Sequence, residues 1–209
     1  MKTTLAALAL FLVVALGFAA APGPAPLAAP AVEARAATYR IDPAHSNVGF
    51  RIRHMGIAFV EGEFDAFEGT ITFDPADVAA TRADVTVQTA SVDTDVEARD
   101  THLRSADFFE VEAFPAMTFV STGVAPTGAG TFRLAGDLTL KGTTKEVVFD
   151  VTAGGPIPIE DGQRVGFHAT TEIDRRDFGV TWGRDLPGGV PAVGNRVQIV
   201  LDVEAVTES

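Results

Sequence analysis

From residue 37 onward, apolar and polar side chains alternate along the sequence with a period of two. Val48, Phe50 and Ile52 alternate with Gly49, Arg51 and Arg53. This alternation is typical of antiparallel sheets that have one solvent-exposed face and one apolar face. It is not typical of the strands of α/β folds, which are buried on both faces. It therefore predicts an all-β fold. The same pattern recurs in 62–74, 83–87, 115–125, 132–140, 147–151, 165–173 and 197–205.

One charged stretch, residues 98–115, interrupts the alternation. The segment Thr94-Asp95-Val96-Glu97 has the form of a capping box, which predicts a short helix at about 95–108. Pro115 cannot continue a helix and predicts the start of the next strand. The expected order is therefore three strands, one helix and five strands.

Eight antiparallel strands can form a sandwich or a closed barrel, and only the barrel leaves no exposed edge. Short turns separate consecutive strands at 127–130, 140–143 and 160–162. Such sequential connections favour an up-and-down barrel. A barrel of eight strands has an interior just wide enough for side chains or for one slim ligand.

The first 36 residues differ from the rest. Residues 5–18 form an unbroken apolar run after Lys2, and a segment rich in Pro and Ala follows. This layout predicts a signal peptide and a flexible leader, with cleavage after Ala19 or after Ala36. We therefore expect one barrel domain at 37–209, in a periplasmic or secreted protein, which would stay anchored by its N-terminus if cleavage failed.

Composition excludes several functions. The chain has no cysteine, so disulfides, thiolate metal sites and thiol nucleophiles are excluded. The net charge of −12 disfavours binding to nucleic acid and electrostatic docking to a membrane.

The motifs for catalysis and for metal binding are weak. The four histidines, at 45, 54, 102 and 168, lack the spacing of zinc ligands. Asp42-Pro-Ala-His-Ser46 contains the residue types of a catalytic triad, but adjacency in sequence does not create triad geometry. No GxSxG motif is present in the sequence. We expect neither a catalytic nor a metal site.

Phenylalanine dominates the aromatic residues, with 15 Phe against one Trp and one Tyr. Phe needs no polar partner, so an inner wall rich in Phe stays apolar. A filled core is the simplest interpretation, whereas the small inward residues Ala83, Gly136, Ala169 and Ala205 favour some vacant space. The Phe residues expected to point inward are 50, 59, 64, 67, 73, 108, 109, 114, 119, 132, 149 and 167.

Several motifs, in order, resemble the YceI-like family of exported lipid-binding proteins. Together they cover residues 38–206. The segments that carry the resemblance are 39–46, 50–54, 62–64, 91–94, 99–109, 114–115, 136–142, 174–182 and 195–199.

The resemblance implies a lipocalin-like barrel that binds a polyisoprenoid, such as a polyprenyl phosphate or an isoprenoid quinone, for storage or transport. No other cofactor is expected, and transient membrane contact and a homodimer are left open. Arg99, His102, Arg104 and Arg176 are candidate donors to a head group, although an ion pair of Arg99 with Asp100 that fixes the helix is the preferred role for that arginine. The candidate ligand contacts are His45, Phe50, His54, Phe64, Arg99, His102, Leu103, Phe108, Phe109, Phe119 and Trp182.

Two alternatives stay open. A hydrolase or other enzyme acting on a lipid or quinone would need a His45–Ser46 or His102–Asp100 pair open to the interior. A ligand-free stress or adhesion module would have a solid core.

Overall fold

The structure, a computed structural model, describes residues 36–207. The predicted signal peptide and leader, except for Ala36, lie outside the described residues. Within the described part of the chain, no helix combines the length and the apolar character needed to cross a membrane.

Eleven strands, one α-helix and four short 3-10 helices make up the described chain. The α-helix, α1, spans Glu97–Arg104. The 3-10 helices are Pro43–His45, Val78–Ala80, Thr89–Ser91 and Arg175–Phe178. The strands are β1 (Ala37–Ile41), β2 (Asn47–His54), β3 (Ala58–Phe64), β4 (Phe67–Phe73), β5 (Arg82–Gln88), β6 (Val92–Asp93), β7 (Ala116–Gly128), β8 (Thr131–Leu140), β9 (Thr143–Ile159), β10 (Gly162–Asp174) and β11 (Val193–Thr207).

These strands form eight barrel strands, three of which are interrupted. β1 and β2 run consecutively along β11, with Tyr39 opposite Thr207 and His54 opposite Val193. β3 continues into β4, and β5 into β6, in the same way. Short irregular segments at 42–46, 65–66 and 89–91 cause the breaks.

The pairing is antiparallel throughout, and β1 pairs with both β4 and β11, which closes the barrel. The predicted eight-stranded up-and-down barrel is confirmed, with three barrel strands before the helix and five after it. Closure leaves no unpaired long edge among the strands of residues 36–207 that could template aggregation.

The inward rows form the apolar core. Along β8, Phe132, Leu134, Leu138 and Leu140 are each at most 9% exposed, while Arg133 and Asp137 between them face solvent. Burial of a large apolar side chain contributes roughly 1.5–3 kcal/mol. The period-two pattern therefore fixes both the face and the register of each strand.

The barrel has two distinct ends. At one end, here called the helix end, α1 and the segment after it meet the β8–β9 turn, where Lys141 Nζ donates to the Ala106 carbonyl at 2.7 Å. Lys141 and Gly142 adopt positive φ of 48° and 71°, as a two-residue hairpin turn requires. The opposite end is marked by the paired residues Ala37 and Phe73.

The predicted capping box was wrong in its details. α1 begins two residues later and ends four residues earlier than expected, and its N-cap residue Val96 makes no side-chain cap. The Thr94 hydroxyl binds side chains instead, because Asp95 has a positive φ of 61° that turns the chain before the helix begins.

Candidate functional site

A cavity of about 450 Å³ occupies the barrel interior. All eight barrel strands contribute to its wall, from Phe132 and Phe167 near the opposite end to Leu140 and Ile173 near the helix end. Cavities that hold small amphiphiles in proteins span roughly 300–1,000 Å³. The interior is therefore vacant enough to hold a slim ligand.

The exposure of inward side chains shows where the vacant space lies. On β11, Val197, Ile199, Leu201 and Val203 face inward and line the cavity, yet each is only partly buried. Inward residues of β9, such as Phe149 at 5% exposed, are packed against neighbours. Free space therefore borders β11, and it also borders β2, β5 and β7, where several inward side chains are partly buried as well.

The small inward residues play different roles. Ala83 and Ala169 line the cavity, whereas Ala205 is fully buried and lies outside the lining. A Cβ atom at Gly136 would fall about 2.3 Å from the ring of Phe119. Gly136 thus makes room for an aromatic ring of the core, so its predicted contribution to vacant space was wrong.

The polar groups of the cavity wall are unevenly distributed. Arg99, Arg175, His54 and His102 line the cavity at the helix end, whereas Thr81 is the buried polar residue toward the opposite end. Within the described residues, the cavity wall contains no Asp or Glu, although the chain has 28 acidic residues. The cavity therefore offers an apolar body with hydrogen-bond donors at one end.

Thr94 organises the junction between α1 and the barrel. Its hydroxyl donates to Asp100 Oδ1 at 2.5 Å and accepts from Arg99 Nε at 2.7 Å, and Arg99 also donates to the Thr94 carbonyl. Gly62 carries no Cβ, which lets Thr94 and Phe50 approach the β3 backbone. The expected direct Arg99–Asp100 pair is thus replaced by three hydrogen bonds that join both side chains to one threonine, with the same consequence of fixing the helix.

Arg175 is a buried cation in the cavity wall. It is 5% exposed, and its guanidinium donates to the carbonyls of Val180 at 2.7 Å and Gly194 at 2.8 Å and to Asn195 Oδ1 at 3.3 Å. Burial lowers the pKa of Arg175, because desolvation disfavours its charged form. These partners are neutral, so the guanidinium charge adds a positive potential to this end of the cavity.

An aromatic group closes one side of the helix end. His102 lies edge-on to Phe108 at 5.0 Å and to Trp182 at 4.9 Å between ring centroids, and Phe108 and Trp182 are 5.2 Å apart. His102 Nε2 lies 2.8 Å from Asp107 Oδ2, which fixes the ring. This group joins α1 to the loop after β10.

Ten of the eleven predicted contact residues line the cavity together. His45 does not join them, because it lies in the 3-10 helix before β2, where it binds Asp42 at 2.8 Å and its side chain is 59% exposed. The location of His45 excludes it from the cavity wall. The ten are Phe50, His54, Phe64, Arg99, His102, Leu103, Phe108, Phe109, Phe119 and Trp182.

Other predicted residues lie elsewhere. Phe59 points outward at 38% exposed, under the guanidinium groups of Arg51 and Arg53, because it falls on the odd-numbered outer face of β3. Arg104 donates to the carbonyls of Ala90 and Val92, so it holds the helix and not a head group.

Arg176 was predicted as a head-group donor, and Arg175 was not. Arg176 is exposed and paired with Asp174, while its neighbour Arg175 enters the wall. The alternation of β10 could have indicated this, since Ile173 and Arg175 share parity with the inward row. In residues 36–207, no group of three or more His, Asp or Glu is arranged to hold a metal ion.

Comparison with known proteins places the barrel in a family. The YceI-like domain matches residues 39–205. A UPF0312 protein of Ectopseudomonas mendocina is 41% identical over 180 residues, covering 84% of this chain and 91% of the relative. A UPF0312 protein of Vibrio cholerae is 38% identical over 184 residues, covering 86% and 89%.

Solved structures share the fold. Burkholderia cenocepacia BcnA has a TM-score of 0.70 at 29% identity, covering 79% of this chain and 99% of that one. The Campylobacter jejuni YceI protein has a TM-score of 0.66 at 32% identity, covering 80% and 96%. A polyisoprenoid binding domain from Saccharophagus degradans has a TM-score of 0.58 at 14% identity, covering 83% and 100%, a likeness of fold. The chain therefore belongs to the YceI-like family.

Proposed function

We propose that this protein is exported and holds a long-chain isoprenoid amphiphile in its barrel, for storage or transport. The ligand would be a polyprenyl phosphate or an isoprenoid quinone. The observation that carries the proposal is the polarity of the cavity, which is apolar along the barrel and lined by arginine and histidine at the helix end. An oily tail would lie along β11, with its head group near Arg99 and Arg175.

Hydrophobic transfer would supply the binding free energy. At roughly 0.8 kcal/mol per buried methylene, each five-carbon isoprene unit contributes on the order of 3–4 kcal/mol when fully buried. A wall of Phe, Leu and Val selects by shape and not by hydrogen bonds, so it would accept tails of different length. The name of the Saccharophagus degradans domain agrees with this ligand class, while its 14% identity concerns the fold.

A binding role accounts for the geometry better than an enzymatic one. Of the two histidine pairs that an enzyme would use, His45 binds Asp42 outside the cavity, and His102 binds Asp107 and not Asp100. Neither arrangement places a nucleophile beside its base, as covalent catalysis needs. We therefore propose that the protein is not an enzyme.

Export is proposed from the sequence alone. The apolar run at 5–18, which follows Lys2 and precedes a segment rich in Pro and Ala, fits the signal peptide of a protein that is sent to the periplasm or the medium.

Solvent extraction of the purified protein, followed by mass spectrometry, tests the ligand. We expect a prenyl lipid in stoichiometric amount. Leu201 is partly buried in the cavity wall, where it is the register partner of Ala169 on the neighbouring strand. The larger side chain of Leu201→Trp should occupy the cavity and abolish uptake of added polyprenol or quinone. Val148→Trp, on the outer surface, is the matched control. A clean extract together with no uptake of either lipid by the unaltered protein would refute carriage.

A further inference from the structure

The β2–β3 hairpin exposes apolar side chains at the helix end of the barrel. Ile57 is 82% exposed, Phe59 38% and Met55 36%, and Val190 in the loop before β11 is 40% exposed. We call these four residues the hairpin patch. Exposed apolar side chains that cluster indicate a contact surface, whereas scattered ones need no explanation.

The patch is continuous, since the hairpin turn and the Val190 loop are in contact. Met55 N donates to the Ala192 carbonyl at 3.0 Å, and a Cβ at Gly56 would lie 3.6 Å from Val190 Cγ1. Met55 and Gly56 adopt positive φ of 52° and 74°, which gives a tight turn with Ile57 at its exposed tip. These contacts join the turn to Val190, and Phe59 follows the tip residue Ile57 by two positions on β3.

Two arginines of β2 flank the patch on the Phe59 side. The guanidinium carbons of Arg51 and Arg53 lie 4.6 Å and 4.2 Å from the centroid of the Phe59 ring, on the outer face of the barrel. The stretch 47–60 contains no Asp or Glu, in a chain with a net charge of −12. Glu61 and Glu63 limit this basic surface on the β3 side. The hairpin thus carries local positive charge, although the molecule as a whole is negatively charged.

The patch adjoins the polar end of the cavity. His54, the last residue of β2, and its register partner Val193 both line the cavity. Gly194, which accepts a hydrogen bond from Arg175, packs against Arg53. Only the turn therefore separates the cavity wall from the exposed tip.

We propose that the hairpin patch docks on the surface of an anionic phospholipid bilayer. A stable protein interface buries roughly 800 Å² on each partner, more than four partly exposed side chains provide. An interfacial membrane contact needs only a few apolar groups at the headgroup boundary and basic residues beside them. The acidic remainder of the molecule, which includes Glu97 and Asp107 at the helix end, would be repelled by such a surface, so the contact would be confined to the hairpin.

A site-specific dye tests the docking directly. The full chain has no cysteine, so Ile57→Cys gives one labelling site for an environment-sensitive nitrobenzoxadiazole dye. The control is Val148→Cys, 43% exposed on the outer wall, with the same dye. With vesicles of phosphatidylglycerol and phosphatidylcholine, we expect a blue shift and brighter emission at position 57 and no change at position 148. An unchanged dye at position 57, or equal changes at both positions, would overturn the proposal.

Charge variants test the electrostatic part. With the dye at position 57, Arg51→Gln combined with Arg53→Gln should raise the lipid concentration at half-maximal response about 30-fold. Arg133→Gln combined with Lys145→Gln makes the same charge change on exposed residues of β8 and β9, and should leave that concentration unchanged. Equal effects of the two pairs, or an undiminished response with pure phosphatidylcholine, would contradict docking through this hairpin.

These measurements use no cargo lipid. Docking can therefore fail while isoprenoid binding holds, and the reverse is equally distinguishable.

Discussion

Arg99 Nε donates to the hydroxyl of Thr94 at 2.7 Å, across the start of α1. The same hydroxyl donates to the buried carboxylate of Asp100. One threonine, 6% exposed, thus partners a cation and an anion of the helix that covers one side of the cavity. Hydrogen bonds to charged groups contribute about 1.5–3 kcal/mol each, so this junction should anchor α1 together with the two bonds of Arg104 to the Ala90 and Val92 carbonyls.

Thr94→Val should destabilise the fold by about 2–3 kcal/mol, because it leaves the Asp100 carboxylate without its hydroxyl donor. Urea unfolding measures the change as a lower midpoint with an unchanged slope. Thr101→Val, on the same helix but exposed and bonded to Glu97, is the control and should change stability by less than about 0.5 kcal/mol. Similar midpoints for the two variants would show that Thr94 does not anchor the helix.

The sequence was sufficient to predict the barrel but not its interruptions. Alternation decides which face each residue takes, so strand number, order and the turn at Lys141–Gly142 followed from it. The break at 65–66 was missed, since Phe64 and Phe67 are both buried and keep the apolar count intact across it. The two irregular residues 65 and 66 change whether even-numbered or odd-numbered residues face inward, and they do so without changing the number of apolar residues.

The site residues were predictable where alternation along one strand decides which way a side chain points. They were not predictable where contacts between strands or within a turn decide it. Phe50 and Phe64 follow from alternation, whereas Phe59 was assigned by residue type against its own parity. His45 was chosen for its motif, but its pairing with Asp42 is set by the 3-10 turn. The role of Gly136 depends on the Phe119 ring from the neighbouring strand, which sequence spacing does not reveal.

The cavity should discriminate between head groups of opposite charge. Since its described wall carries Arg99 and Arg175 and no carboxylate, a prenyl phosphate should bind more tightly than a prenyl amine of equal chain length. Charge-assisted hydrogen bonds of about 1.5–3 kcal/mol correspond to a ratio of roughly 10–100. Competition against a fluorescent lipid gives the ratio, with the uncharged prenol as control. Equal affinities would exclude a head group at these arginines.

Acidic pH should destabilise the segment that contains Arg175. Asp174 accepts from the backbone N and the side chain of Arg176, and these bonds lower the pKa of Asp174 from 3.8 to about 2. A lowered pKa means that the folded state favours the ionised form, so this stabilisation is present above about pH 4 and is lost as pH falls toward 2.

Thermal unfolding between neutral and acidic pH checks this stabilisation. Asp174→Asn should remove roughly 1 kcal/mol near neutral pH, after allowance for solvent screening, and should flatten the acid limb of the stability curve. Asp150→Asn is the control, because that carboxylate is 76% exposed in its pair with Arg133. An acid limb that keeps its slope in Asp174→Asn would assign the effect to other carboxylates.

Two fully buried threonines should respond to the same substitution with opposite signs. Thr81 is 1% exposed and its hydroxyl finds no hydrogen-bond partner among the described residues, whereas the Thr89 hydroxyl, 0% exposed, donates to the Phe114 carbonyl at 2.7 Å. Burial of an unpartnered hydroxyl costs about 1–3 kcal/mol, so Thr81→Val should raise the free energy of unfolding by about 1 kcal/mol. Thr89→Val should lower it by a similar amount, because it leaves the partly buried Phe114 carbonyl without this donor. Urea midpoints measure both, and a loss of stability in Thr81→Val would mean that this hydroxyl is satisfied in solution, for example by water at the opposite end of the cavity.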